Sequence, residues 1–441
     1  MESVGDIGRA EPEGPSESWS HQTAGSEAVD DRRSPSPSLE QNVNRRTFVA
    51  RAVSFIGLAA VQGLTPAWAA GQPIPPDDPT RVPGSSPSAY GQRSTFEDVR
   101  RLVSSSHSLT PLHRLHGVIT PAALHFERHH NGVPLIDPAR HRLLIHGLVA
   151  RPVIFTLAEL MRFPSVSRTA FIECSGNSGE EWREPKGKTA QETHGLTSTS
   201  EWTGVMLTTL LREVGAKPEA AWMLAEGSDA AAMTRSIPLA CVLDEALVCY
   251  AQNGAALRPE QGYPLRLLLP GWEGNANIKW LRRLELGAAP WMTREETSRY
   301  TDLMPDGTAR QFTFVMEAKS VITSPSGGQR IEPGFVEIRG LAWSGRGRVS
   351  RVEISTDGGR TWKPAQLQEP ILPKCHTRFR LSWRWEGQDA ILQSRCVDET
   401  GYAQPTREAL IGVRGMNSYY HYNAIQSWKV LPDGQVLNVH V

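Results

Sequence analysis

The chain has 441 residues, in which 47 Lys+Arg balance 47 Asp+Glu, with 5 Cys, 38 Gly and 32 Pro. A zero charge sum argues against a general nucleic-acid binder, which carries a clear positive excess. No uninterrupted apolar run reaches about 20 residues, which excludes a multispan membrane protein. Five Cys is too few for a disulfide scaffold, and the odd number leaves at least one thiol without an internal partner.

Residues 1–43 are rich in Ser, Gly, Pro and acid, lack apolar periodicity and read as disordered. Asn44-Arg45-Arg46-Thr47-Phe48 then precedes an apolar stretch from Ala52 to Val61 and the small-residue pattern Ala67-Trp68-Ala69. This is the order of an export signal occupying the end of a leader at 1–69. The paired arginines and the modestly apolar middle point to the twin-arginine route, and so to a periplasmic protein without stable membrane insertion. A membrane anchor is the alternative reading.

Residues 70–95 hold many Pro, Gly and Ser and form a linker. From 96 to 308 the pattern is mixed. Arg142–His146 is predicted as a strand, Met206–Val214 as a helix with apolar residues at 206, 207, 210, 211 and 214, and Leu265–Leu269 as a buried strand ended by Pro270-Gly271. Cys241 and Cys249 fall in a helix-like run and are predicted to be core.

Residues 309–413 change to β character. Phe335–Leu341 and Val349–Ser355 are predicted strands, the second ending at the turn signal Asp357-Gly358-Gly359. Phe379, Leu381, Trp383 and Trp385 alternate as a strand with one buried face does. About seven short strands in roughly 100 residues suggest an immunoglobulin-like β-sandwich. The fold class is therefore α+β, a mixed α/β domain followed by a sandwich. Residues 414–441 form an aromatic tail (Tyr419-Tyr420-His421-Tyr422) predicted to pack on its own chain or on a partner.

Three segments carry residue types suited to chemistry. Phe171-Ile172-Glu173-Cys174-Ser175-Gly176-Asn177-Ser178-Gly179 delivers one thiol from an apolar strand into a loop of small residues, where a bulky group can come close. A thiolate ligates soft or high-valent metals or acts as a nucleophile, but from the Cys alone a buried structural Cys is the favoured reading. His125-Phe126-Glu127-Arg128-His129-His130-Asn131-Gly132 gathers three His and one Arg. No second ligand cluster supports zinc, and an anion-facing loop and a solvated basic loop both remain open. Gly262-Tyr263-Pro264-Leu265-Arg266 leads into Pro270–Trp280, a strand ending in a Gly-rich turn flanked by Arg and Lys, as phosphate-binding turns are. It is neither a P-loop nor a dinucleotide fingerprint.

Taken together, these strings resemble the sulfite oxidase family of molybdenum enzymes over residues 110–412. The ordered motifs are the Phe-x-Arg-x-His loop, Glu-Cys-x-Gly-Asn, Trp202-Thr203-Gly204, Ser236-Ile237-Pro238, Gly-Tyr-Pro-x-Arg, Lys-Trp-Leu, and, in the β domain, Ser-Gly-x-Gly-Arg and Asp-Gly-Gly-x-x-Trp. Asp137-Pro138-Ala139-Arg140-His141, Glu173–Ser178 and the run Leu392–Arg407 resemble its sulfane dehydrogenase (SoxC) branch.

The resemblance implies a molybdenum-molybdopterin cofactor. It makes Cys174 the metal ligand and places Arg128, His129 and His130 beside pterin and metal. Asp229, Gln261, Arg266, Asn277, Ile278 and Lys279 match cofactor-binding positions. Tyr300, 21 residues after Lys279, matches the active-site tyrosine, and Arg348 matches an arginine reaching in from the β domain, with Arg346 as its rival. Trp202, Trp280, Trp343 and Trp383 are expected to be core.

Two positions depart from the sulfite oxidases: Gly179 stands where they have a second pocket arginine, and Gln261 where they commonly have a histidine. Losing one arginine weakens a clamp for free sulfite. The implied activity is oxidation of carrier-bound sulfane sulfur by oxygen-atom transfer. With no Cys-x-x-Cys-His in the chain, electrons are expected to pass to a separate c-type cytochrome, in a homodimer or heterotetramer. A free-sulfite dehydrogenase and an exported, non-catalytic binding module are the alternatives.

Overall fold

The structure is a computed structural model, and it describes residues 83–441 apart from Lys186. The leader and export signal expected at 1–69, and the first part of the linker, lie outside the described residues. Residues 83–91 contain no helix or strand, and Gln92–Val441 form one compact unit.

The mixed part of this unit is built on two five-stranded sheets. In one, Val153–Thr156, Arg142–Gly147, Leu281–Gly287, Trp222–Gly227 and Thr234–Pro238 lie side by side, with Leu281–Gly287 parallel to Arg142–Gly147. The expected strand at 142–146 and helix at 206–214 both form, the helix spanning Leu207–Val214 and ending at Gly215 in the left-handed conformation. Leu207, Leu210 and Val214 are fully buried, and each such side chain stabilises by roughly 2 kcal/mol.

The second sheet positions the chemistry. Ser165–Glu173 pairs antiparallel with Thr197–Met206 along its whole length, from Ser165↔Val205 to Glu173↔Thr197. Leu247–Gln252 lies on the other side of Thr197–Met206 and also pairs with Arg266–Leu268. Cys249 is therefore in a strand, not in a helical run, while Cys241 is exposed in a short 3-10 turn. The run Leu247-Val248-Cys249 is a continuous apolar stretch of the kind whose periodicity does not separate buried strand from buried helix.

The sandwich has one sheet of four strands, Lys319–Ser324, Gly334–Trp343, Thr377–Trp385 and Gln366–Gln368. The other has five, Lys363–Pro364, Val349–Ser355, Ala390–Asp398, Ser427–Val430 and Val436–Val439. The last two come from the segment expected as a tail, so the sandwich runs past residue 413. Trp428 is fully buried within it. The sandwich core also takes in Leu112, Phe171 and Ala190 from the first part of the unit, so the strand leading to Cys174 is packed from the sandwich side. Among the described residues no helix is long and apolar enough to cross a membrane.

Candidate active site

The register of Ser165–Glu173 on its neighbour continues one residue further, where Cys174 N–H donates to Leu196 O at 2.9 Å. The chain then turns sharply: Asn177 N–H donates to Cys174 O at 2.9 Å, Gly179 N–H to Gly176 O at 3.0 Å, and Ser178 adopts φ +65°. A parallel bridge Glu173↔Glu273 lays the Gly-rich turn after Arg266–Leu268 alongside this loop. A Cβ on Gly274 would stand 2.9 Å from Glu173 O, so the approach needs glycine there.

The carboxylate of Glu173 is buried and fully engaged. Lys319 Nζ reaches Oε1 at 3.0 Å, Asn177 Nδ2 donates to Oε1 at 2.8 Å, and Trp343 Nε1 donates to Oε2 at 2.7 Å. Lys319 and Trp343 belong to the sandwich, which thus fixes the residue preceding the thiol. Burial pushes the Lys319 ammonium below its ordinary range, and the Glu173 carboxylate opposes this.

The Cys174 thiol opens into a cavity lined also by His125, Phe126, Arg128, His129, His130, Asp229, Gln261, Arg266, Asn275, Asn277, Ile278, Lys279, Trp280 and Tyr300. The structure brings every expected site residue except Arg348 to this one cavity. Arg348 is exposed on the sandwich, its N–H held by Glu399 Oε1 at 3.0 Å and its carbonyl accepting from Glu399 N–H at 2.9 Å. That pairing fixes the backbone of residue 348 just before the strand Val349–Ser355. Arg346 is exposed as well, paired to Glu317 at 3.2 Å and stacked on Tyr402.

Positive charge concentrates on one wall. Lys279 Nζ donates to Arg128 O at 3.1 Å, Glu260 O at 3.2 Å and His129 Nδ1 at 2.7 Å, which turns His129 Nε2 toward Glu127 at 2.9 Å. Burial lowers the Lys279 ammonium to about 7, helped by the nearby Arg266 charge. Arg266 donates to Gln261 O at 3.0 Å and Asn277 O at 3.2 Å and stacks 4.7 Å over Trp202. Gln261 in turn donates to Phe126 O at 2.9 Å. Asp229 accepts from Met233 N–H at 3.1 Å. The Asn277 amide faces the protein, accepting from Leu269 N–H at 2.7 Å and donating to Glu273 O at 3.0 Å, so it shapes the turn.

On the opposite side Tyr300 Oη and His130 Nε2 share a hydrogen bond of 3.0 Å. Burial holds His130 down to about 4 and pushes the Tyr300 phenol well up. Near neutral pH the imidazole is uncharged and the phenol keeps its proton, so Tyr300 is not a base. Its φ of +47° is unusual for a tyrosine and marks a locally strained backbone.

The residues fit a molybdopterin cofactor. His125 Nε2, Arg266 Nε and Asn275 Oδ1 line the cavity, are buried and have no hydrogen-bond partner among the described residues. Buried polar atoms are rarely left so, and a ligand carrying both hydrogen-bond acceptors and N–H donors, as a phosphorylated pterin does, would satisfy them. No group of three or more His, Cys, Asp or Glu able to hold a metal occurs among the described residues. A metal here would take one protein ligand, Cys174, and the rest from the cofactor. Burial pushes the free Cys174 thiol up, so its ionisation awaits a metal.

Several participants were not legible in the sequence. Asn275 and the pair Lys319–Trp343 carry no local motif. Trp280, expected as core, lines the cavity with Lys279 Nζ 4.5 Å over its ring. Trp202 backs Arg266. Buried Arg235 joins Glu296 and Glu273, each at 2.7 Å, and its guanidinium lies 5.2 Å over the Tyr300 ring.

Residues 130–294 match the family described as oxidoreductase molybdopterin binding domain, and residues 310–428 match Mo-co oxidoreductase dimerisation domain. The chain is 32% identical to mitochondrial sulfite oxidase of Mus musculus over 329 residues, covering 68% of this chain and 60% of that one. It is 31% identical to sulfite oxidase of Gallus gallus, covering 68% of this chain and 71% of that one. Nitrate reductase [NADH] of Ulva prolifera is 30% identical, covering 61% of this chain and 34% of that enzyme. The crystal structure of the sulfane dehydrogenase SoxCD from Paracoccus pantotrophus superposes with a TM-score of 0.80 at 46% identity, covering 84% of this chain and 100% of that one. The two family matches, the similarity to sulfite oxidases and a cavity presenting a single thiol among unpartnered buried polar atoms place this chain in the sulfite oxidase family of molybdenum-molybdopterin proteins.

Proposed function

We propose that this chain is a molybdenum oxidoreductase of sulfane sulfur, exported by the twin-arginine route to the periplasm. It would oxidise sulfur held on a carrier protein and pass the electrons to a c-type cytochrome. The single observation that carries the reading is a thiol-centred, cationic cavity with no arginine at position 179, in a chain 46% identical to a sulfane dehydrogenase. The paired arginines at 45 and 46 support the export route.

When bound, the cofactor supplies oxygen-atom transfer to sulfur and takes up two electrons for each oxygen delivered. Cys174 would hold the metal. Arg266, Lys279, Gln261 and Asp229 would hold the cofactor, with the unpartnered nitrogens of His125 and Arg266 turned toward it. Arg128 would place positive charge beside the anionic sulfur. Tyr300, kept protonated and oriented by His130, would donate a hydrogen bond to a reacting oxygen.

Free-sulfite oxidation is the second reading, favoured by Arg128 and by the sulfite oxidases among the relatives. Molybdenum-loaded protein separates the two. The expected result is slow or no reduction of cytochrome c with sulfite, and turnover with a peptide persulfide. Fast turnover with sulfite alone would make the protein a sulfite dehydrogenase.

A further inference from the structure

Position 179 is not vacant space. A Cβ built on Gly179 would stand 2.7 Å from Tyr419 O and 3.3 Å from two atoms of the Tyr419 ring. A Cβ on Gly176 would lie 3.1 Å from the same ring and 3.9 Å from Cys174 Sγ. The Tyr419 ring therefore stands against the cysteine loop, at the place where the family resemblance puts a second arginine. No side chain fits at 179 while this segment stays in place.

The segment is anchored to the reaction centre. His421 N–H donates to Ser175 O at 2.8 Å, and His421 Nε2 meets Glu273 Oε2 at 3.2 Å. Glu273 also holds Arg235, which lies over the Tyr300 ring, and the Tyr420 and Tyr300 rings are 5.2 Å apart. Tyr419 remains 52% exposed. It is a neutral, apolar surface next to the thiol and open to solvent.

We propose that Tyr419 is a specificity-determining residue, closing the side of the cysteine loop from which a cation would clamp a free oxyanion and offering an aromatic wall to sulfur bonded to an organic substituent. This rests on the function proposed above and deepens it. An aromatic face gains by packing on an organic group and gains nothing from a small, strongly hydrated dianion.

The test is calorimetric titration of the molybdenum-loaded full chain with two probes, a pentapeptide carrying S-sulfocysteine and inorganic sulfate. The peptide is expected to bind wild type, to lose about tenfold in affinity in Tyr419→Ala and in Gly179→Ala, and to keep it within about twofold in Tyr419→Phe, with sulfate binding unchanged. Equal peptide affinity in wild type and Tyr419→Ala overturns the inference and leaves the proposed function standing. A wild type that ignores the peptide but oxidises sulfite overturns both. Should Tyr419→Ala lose its molybdenum, Tyr419→Arg decides the matter. It is expected to bind sulfate about tenfold more tightly than wild type, a gain that misfolding does not produce, and no gain overturns the inference.

Discussion

At the scale of single residues, the cavity works by keeping some groups uncharged and others protonated. Tyr300 is a buried phenol hydrogen-bonded to an uncharged His130. Tyr300→Phe is expected to leave molybdenum content unchanged and to lower kcat by about 10²–10³, the usual cost of one donor aimed at a developing oxyanion; metal analysis alongside steady-state kinetics checks it. Lys279 has a sign that can be worked out. Its ammonium is held at about 7 in the fold, against 10.5 for a free lysine. Between these values the unfolded chain binds the extra proton, so cofactor-free protein gains stability as pH rises from 7 toward 10. Thermal unfolding across that range should show the rise in wild type and its loss in Lys279→Met. Arg348 is exposed and bonded through its backbone to Glu399, so Arg348→Ala is expected to keep kcat within about twofold; a large fall with intact metal would bring this residue back to the reaction.

At the scale of elements, the thiol loop is held by what lies behind it. Glu173 ends the strand that delivers Cys174, and its carboxylate is buried against Lys319 and Trp343 of the sandwich. Removing one partner of a buried pair strands the other charge, at a cost of about 3–5 kcal/mol. Lys319→Met should lower stability by about that amount, and Glu173→Gln combined with Lys319→Met should recover part of it. Denaturant titration of the two variants measures the difference. The strand itself was legible, because Phe171-Ile172 is an apolar run ending in small residues. The ion pair was not, because its partners are 146 positions apart.

At the scale of the whole molecule, the sandwich and the mixed part share one packed unit. The segment 414–441 does two jobs within it. Its aromatic portion closes on the cysteine loop, while Ser427–Val430 and Val436–Val439 extend the five-stranded sheet. The composition of that segment announces packing but not its target, since Tyr and Trp are amphipathic and suit a core, an interface or a site equally.

Local sequence patterns specified the mixed-then-β order and the strand and loop that carry Cys174, and the family resemblance implied the cationic residues around it. These are local properties, set by apolar periodicity, turn residues and motif order. Packing in three dimensions, in contrast, keeps Arg348 outside the cavity, braces Glu173 with Lys319 and Trp343, ties Glu273 to Tyr300 through Arg235 and sets Tyr419 against Gly179. Each of those depends on segments far apart in the chain meeting at atomic distances, and such meetings are fixed by packing of the whole unit, which no local pattern records.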